Sequence, residues 1–165
     1  MSTNPELEGR ALEHRQEWLP ALAVLDLEEL AQAVDPLLSH YEIEHQALPE
    51  DGLGLLKVRD GAFGQPFYLG EFPVASAHVV LRNGRGEGYA GAAHYLGDSA
   101  DKAIRLAVCD AVLAHDLPGA VIVQALARTG LNRLRARQRR RSAMLEKTRV
   151  DFDLLASTKG GGDVD

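Results

Sequence analysis

The chain has 165 residues, of which 45% are hydrophobic and 25% charged, so one compact domain with a real core is expected. Its one cysteine, Cys109, excludes an internal disulfide framework and a cysteine-based zinc cluster. The opening ten residues lack the basic and apolar stretches of a signal peptide, and no apolar run approaches the ~20 residues of a membrane helix. We expect a soluble, cytoplasmic protein with a single domain over residues 1–158 and a flexible tail over residues 159–165.

The first forty residues predict helices. Residues 6–19 carry an imperfect apolar stripe between charged side chains. Asp26 is a suitable N-cap for a second helix over residues 27–34, with acidic residues in its first turn. Pro36 is expected to end that helix and to open a short third piece over residues 37–40.

The sequence from Tyr41 to Leu96 has a pattern that predicts β-strands. Glycine-containing turn signals divide it, and the clearest is Asn83-Gly84. Strands that are adjacent in sequence and joined by tight turns predict an antiparallel meander. We therefore expect a sheet of four or five strands, built from residues 41–47, 53–59, 67–74, 78–81 and 87–96.

The sequence predicts helices again after the strands. Ser99 is a natural N-cap for a helix whose periodic positions are mostly small residues, which favours close packing on a sheet. Residues 115–119 should break it, and Ala120 to Lys147 then form one long helix, or two with a break at Thr129-Gly130. The predicted class is α+β, with an antiparallel meander packed against N-terminal and C-terminal helices.

No group of residues in the sequence has the pattern of a catalytic or metal site. The six histidines are scattered, with no pair at i, i+4, so we predict no metal site. Cys109 lies in the small-residue helix and is expected to be a packed, inert thiol. The glycines at 84, 86 and 88 indicate a hairpin turn rather than a phosphate-binding loop. We predict no catalytic residue and no cofactor in this chain.

A basic segment lies near the C-terminus. From Gly119 to Val150 nine basic residues stand against one acidic residue, so this stretch carries +8 and the rest of the −6 chain carries −14. Three interpretations remain open: a solvated helix, a nucleic-acid-binding helix, and a helix that docks on an acidic subunit or a phosphate-rich ligand. On one side of the helix lie the four candidates for an anion or partner contact, Arg133, Arg137, Arg140 and Arg141.

Landmarks along the chain resemble one known family in their order and spacing. They are Arg15-Gln16-Glu17-Trp18, Phe67-Tyr68-Leu69-Gly70-Glu71, Leu96-Gly97-Asp98, Cys109-Asp110-Ala111 and Arg149-Val150-Asp151-Phe152. The sequence is similar to the G subunit of the bacterial carbon–phosphorus lyase system, the PhnG family, over roughly residues 15–152. It departs from the family pattern after Phe152, where the chain continues with Asp153-Leu154-Leu155.

The resemblance implies a non-catalytic subunit of a complex with the H, I, J and K subunits. Together with the H, I and L subunits, such a protein is required when methylphosphonate displaces adenine from ATP, giving ribose 1-methylphosphonate 5-triphosphate. ATP and the phosphonate are then substrates of the complex. The I subunit is thought to carry the nucleosidase-like chemistry and is the expected direct partner, whereas the radical step with its iron–sulfur cluster belongs to the J subunit.

The family ending supplies the candidate partner-binding residues. We predict that a subunit contact is formed by Arg149, Val150, Asp151 and Phe152. The alternative is that these residues close the last helix onto its own sheet. Two other functions stay open: a nucleic-acid-binding or regulatory module that uses the basic helix over 133–141, and a homodimer joined along an exposed strand edge.

Overall fold

A computed structural model describes residues 15–147, and the predicted α+β class is confirmed there. No helix in that range is both long and apolar enough to span a bilayer. The predicted tail and the outer domain boundaries lie outside the described residues. Within them the elements are α1 (Arg15–Ala23), α2 (Leu27–Leu38), β1 (Glu42–Arg59), β2 (Pro66–Arg82), β3 (Gly88–Leu96), α3 (Ala100–Ala114) and α4 (Ala120–Lys147).

The sheet over residues 15–147 has three antiparallel strands in the order β1-β2-β3, so the prediction of four or five was wrong. Residues 41–47 and 53–59 fall almost wholly within β1, and 67–74 and 78–81 are parts of β2. Register shifts after His45 and Ala47 show where β1 absorbs extra residues. A bulge of this kind bends a strand without reversing it. The turn expected at Asp51-Gly52 is therefore a paired stretch of strand.

Two polar side chains organise the turns that do reverse the chain. At the β1–β2 turn the Asp60 carboxylate accepts hydrogen bonds from the N–H groups of Ala62 and Phe63, and these bonds lower the pKa of Asp60. At the β2–β3 turn Asn83 Oδ1 accepts from the N–H of Glu87 at 3.1 Å. Gly86 lies at φ +80°, which glycine tolerates best. The hairpin predicted at Asn83-Gly84 is confirmed.

The helix that begins after Asp26 is longer than predicted. Glu29 accepts a hydrogen bond from the Asp26 N–H at 3.0 Å, half of a capping box. The helix then continues through Pro36 to Leu38, so the predicted end and the separate piece over residues 37–40 were wrong. A proline inside a helix removes one backbone hydrogen bond. Leu37 and Leu38 offset that loss because both pack against the core.

The core lies between α3 and one face of the sheet. Ser99 Oγ caps α3 as predicted, accepting from the Lys102 N–H at 3.2 Å. Gly91 of β3 lets the helix approach closely, since a Cβ there would lie 2.2 Å from the Ala107 carbonyl oxygen. The buried sheet residues that α3 covers are small or β-branched for the most part: Ala75, Ala77, Val79, Leu81 and Ala93.

The last helix is continuous through Thr129 and Gly130, so the single-helix alternative holds. Gly130 is buried, and a Cβ on it would lie 1.8 Å from the Ala21 carbonyl oxygen of α1. The residue that sequence patterns read as a break is therefore a contact point. Gly130 allows the backbones of α1 and α4 to touch, which fixes the start of the basic half of α4.

Candidate partner-binding surfaces

Strands β1 and β2 extend past the third strand as a two-stranded arm, residues 50–73. Strand β3 pairs with β2 only from Val74 to Arg82. The β2 residues from Pro66 to Pro73 have their strand partners on β1 alone. In this pairing Leu53 lies opposite Pro73, and Arg59 lies opposite Pro66. A two-stranded hairpin is at best marginally stable in water by itself. The arm therefore depends on the sheet at its base and on whatever covers it.

The arm exposes large apolar side chains. Leu53 is 69% exposed and Phe63 at the tip is 84% exposed. Contiguous exposed apolar surface on a soluble domain typically marks an interaction site. The exposed members are Leu53, Leu55, Leu56, Phe63, Phe67, Tyr68 and Leu69.

Part of this surface continues the face that is buried in the core. Leu53 lies opposite Pro73 and Leu55 lies opposite Glu71. Side chains of directly opposed residues share a face, and alternate residues along a strand return to it. Leu53 and Leu55 therefore lie on the same face as Ala75, the first sheet residue that is fully buried. The arm has a core-type face without a helix over it.

Contacts on both faces give the arm defined structure. The Phe72 ring lies over Gly54, where an added Cβ would be 2.7 Å from the ring. Lys57 Nζ lies 5.9 Å from the centre of the Tyr68 ring, within reach of a cation–π interaction. These contacts across the strand pair hold aromatic rings in place. The arm is thus an ordered hairpin with an uncovered apolar face.

The predicted arginine set does not act as one group. Arg133 donates to both carboxylate oxygens of Glu29 on α2, each at 2.6 Å. The Glu29 pKa is lowered to about 2, mainly by the hydrogen bonds from Arg133 and next by the hydrogen bond from the Asp26 N–H. Arg133 therefore ties α4 to α2. Within residues 15–147, Arg137, Arg140 and Arg141 form no such ion pair.

Two of those arginines border a groove between α1 and the C-terminal half of α4. The groove has a volume of about 900 Å³. Arg135, Arg137 and Arg141 line it, together with Glu17. Its apolar lining consists of Pro20, Leu131, Leu134 and Leu145. A lining of apolar side chains and arginines suits an amphipathic protein segment with acidic residues better than a free polyphosphate.

Sequence analysis missed the structural role of Asp110, which it quoted only as a family landmark. The Asp110 side chain is 2% exposed. Its carboxylate accepts from Arg15 Nε at 2.8 Å and Nη2 at 2.5 Å, and from the Ala92 N–H at 2.9 Å. The pair raises the pKa of Arg15. One carboxylate thus joins α3, β3 and α1. The sequence signal for this role was an acidic residue among the small apolar residues of a helix.

The neighbouring thiol is inert at neutral pH, in keeping with the prediction. Cys109 is fully buried, and that burial raises its pKa to about 12. The thiolate is the nucleophilic form of cysteine. Burial in the α3 core therefore leaves Cys109 a packing residue.

The structure also brings together two histidines that sequence analysis left apart. His78 on β2 and His94 on β3 have their Nε2 atoms 3.3 Å from each other. The Asn83-Gly84 hairpin could have revealed them, since it sets both residues on one face of adjacent strands. Among residues 15–147 no group of three or more histidine, cysteine or acidic side chains could hold a metal ion.

The four residues predicted at a subunit contact, Arg149, Val150, Asp151 and Phe152, lie outside the described residues. Their role stays a prediction. The surfaces that the structure does describe are the apolar arm at one end of the sheet and the cationic groove beside α4. Both are features of a protein that binds other chains.

Comparison with known proteins gives the family. The family described as "Phosphonate metabolism protein PhnG" matches residues 13–157. A protein of Rhizobium meliloti (strain 1021), alpha-D-ribose 1-methylphosphonate 5-triphosphate synthase subunit PhnG, is 34% identical over 138 residues, which is 84% of this chain and 85% of the relative. The chain belongs to the PhnG family of phosphonate metabolism proteins.

Proposed function

We propose that this chain is a non-catalytic subunit of the carbon–phosphorus lyase complex. In this role it is required, with partner subunits, for transfer of the ribose-triphosphate moiety of ATP to methylphosphonate with displacement of adenine. Family membership and the name of the Rhizobium meliloti relative support this assignment. ATP and the phosphonate are substrates of the complex.

The observation that carries the proposal is the arm. Leu53 and Leu55 are 69% and 57% exposed although they continue a face that is buried elsewhere in the sheet. Exposing such a face costs stability and invites aggregation unless another chain covers it. A permanent subunit meets that requirement because its apolar surfaces are buried on assembly.

The partner at the arm is another subunit of the complex, with the I subunit as first candidate. Its contact surface would present apolar side chains that cover Leu53 and Leu55 as α3 covers Ala75 and Ala77. The groove beside α4 is a second contact, where Arg137 and Arg141 would meet acidic residues of a partner segment. The chain then orders its partners and leaves the chemistry to them.

A direct test uses co-expression of this chain with the H, I, J, K and L subunits from the same genome. The expected result is a stoichiometric complex that releases adenine from ATP only when methylphosphonate is present. A double variant, Leu53→Glu with Leu55→Glu, should abolish recovery of the complex, since two carboxylates cannot be buried unpaired against an apolar partner.

A matched control adds the same two charges at two other exposed aliphatic residues. Val121 and Ile122 are exposed on the first turn of α4, far from the arm in sequence. The variant Val121→Glu with Ile122→Glu should assemble like the wild type. Normal assembly of the arm variant would overturn the docking role of the arm. Phosphonate-independent adenine release, or no complex at all, would overturn the subunit assignment.

The nucleic-acid alternative is tested on the same material. Arg137→Glu with Arg141→Glu reverses charge in the lining of the groove. For a partner contact this variant should weaken complex recovery, most at low salt where the charges are least screened, without changing any retention of nucleic acid. Nucleic-acid binding that falls steeply with salt and disappears in the variant would instead establish the module using the basic helix over 133–141.

A further inference from the structure

The sheet face turned away from α3 carries a pair of histidines. Along β2 the buried residues Ala77 and Val79 face the helix, so His78 between them points to the opposite side. His94 lies opposite Ser76, and His78 lies opposite Ala92, which makes the two histidines diagonal neighbours on one face. Both rings are exposed, and their Nε2 atoms are 3.3 Å apart.

That separation is the one that two ligands of a tetrahedral zinc ion require. With Zn–N bonds of about 2.0–2.1 Å, a tetrahedral angle places the two nitrogens about 3.3–3.4 Å apart. The ring centres, each about 1.1 Å behind its nitrogen along the bond direction, then lie about 5.2 Å apart. In the structure the ring centres of His78 and His94 are 5.3 Å apart.

The surroundings leave room above the pair. The residues opposite the two histidines on the neighbouring strands are small: Ala47 and Ala92 beside His78, and Ser76 beside His94. A four-coordinate ion held by two histidines keeps two further positions for water or for donors of another chain. Imidazole suits zinc, copper and nickel rather than magnesium or calcium.

We propose that His78 and His94 form a two-histidine site for a divalent transition metal ion of the zinc class on the open face of the sheet. The site is separate from the arm and from the groove beside α4. It requires no movement of the backbone, because the hairpin register already sets the two nitrogens at the chelating distance. Its affinity falls in acid, since protons compete with the metal for the same nitrogen lone pairs.

The test is a Zn²⁺ titration of the untagged, full-length, metal-stripped chain, followed by calorimetry and by the histidine side-chain signals in NMR. We expect one ion bound per chain, with shifts in the His78 and His94 signals and not in those of His40 or His45. His78→Gln and His94→Gln should each weaken Zn²⁺ binding at least about tenfold, because one of two ligands is lost.

The controls are His40→Gln and His45→Gln, which remove exposed histidines of the same protein. Both should bind Zn²⁺ like the wild type. The thermal midpoint of every variant without metal should match the wild type, which separates loss of a ligand from loss of fold. Absence of Zn²⁺ binding, or binding that survives both His78→Gln and His94→Gln, would show a hydrogen-bonded histidine pair only and overturn the site.

Discussion

The two halves of the β1–β2 hairpin differ in burial although the same strands form both. In the half that β3 joins, Ala75 and Val79 are at most 1% exposed. In the arm, Leu53 and Leu55 lie on the same face and are more than half exposed. Pairing between β1 and β2 continues through both halves. The covered half also has β3 beside it and α3 over it, and the arm has neither.

Lengths explain why the helix covers only one half. The 15 residues of α3 span about 22 Å at 1.5 Å per residue. The 17 residues of β2 span about 55 Å at roughly 3.3 Å per residue. A single helix therefore covers less than half of the hairpin. A chain that builds a strand far longer than its own helix leaves an apolar face for a partner.

Glycine substitutions give the sharpest test of this comparison. Gly91→Ala in the covered half would place a Cβ 2.2 Å from a carbonyl oxygen of α3, so we expect a loss of about 3 kcal/mol in unfolding free energy. Gly52→Ala in the arm meets nothing within 4 Å and should change the unfolding free energy by at most ~0.5 kcal/mol. Urea denaturation measures both. Equal losses would show that the arm is packed as tightly as the core.

The buried carboxylate should give the next largest effect. Asp110→Ala leaves the Ala92 N–H without its acceptor and breaks the bond to Arg15. We expect a loss of about 2 kcal/mol, because an unpaired buried donor pays its desolvation in full. Asp35→Ala removes a surface pair with Arg105 and should cost less than ~1 kcal/mol. A difference near zero between the two variants in urea denaturation would contradict the joining role of Asp110.

The fold class could be predicted from sequence because turn residues and caps act locally. Asn83 and Ser99 form the hairpin and the helix cap that their side chains predict. The strand count failed for the opposite reason: bulges after His45 and Ala47 absorb residues by long-range pairing with β2. Pro36 stays helical because the leucines after it reach the core, and no local rule contains that contact.

The candidate site was less predictable still. An exposed leucine and a buried leucine on one strand have the same local pattern, so the arm could not be distinguished from core before α3 was placed. Charge spacing predicted that Arg133 and Arg137 share one side of α4. It could not show that Arg133 is paired with Glu29 from a helix 104 residues earlier in sequence. The His78–His94 pair likewise depends on strand register.

The Glu29–Arg133 pair predicts a modest pH dependence. The Glu29 pKa is lowered from 4.5 to about 2 in the folded chain, so the unfolded chain binds the proton more readily. The stabilisation is present above about pH 4.5 and is lost as the pH falls toward 2. The difference in unfolding free energy between the wild type and Glu29→Gln should shrink over that window. A difference that stays constant from pH 4.5 to pH 2 would contradict the pairing of Glu29 with Arg133.

The smallest expected effect on the unfolding free energy belongs to substitutions in the arm, because the replaced side chains are exposed in the isolated chain. Leu53→Ser with Leu55→Ser replaces two exposed side chains and should change the unfolding free energy of the isolated chain by at most ~0.5 kcal/mol per site. Leu81→Ala on the same face of the covered half should cost about 2–5 kcal/mol, because it opens a cavity in the core. The arm variant should nevertheless fail to join the complex. If it instead destabilised the isolated chain as Leu81→Ala does, the arm would be part of the core, and its exposed face would no longer support a partner.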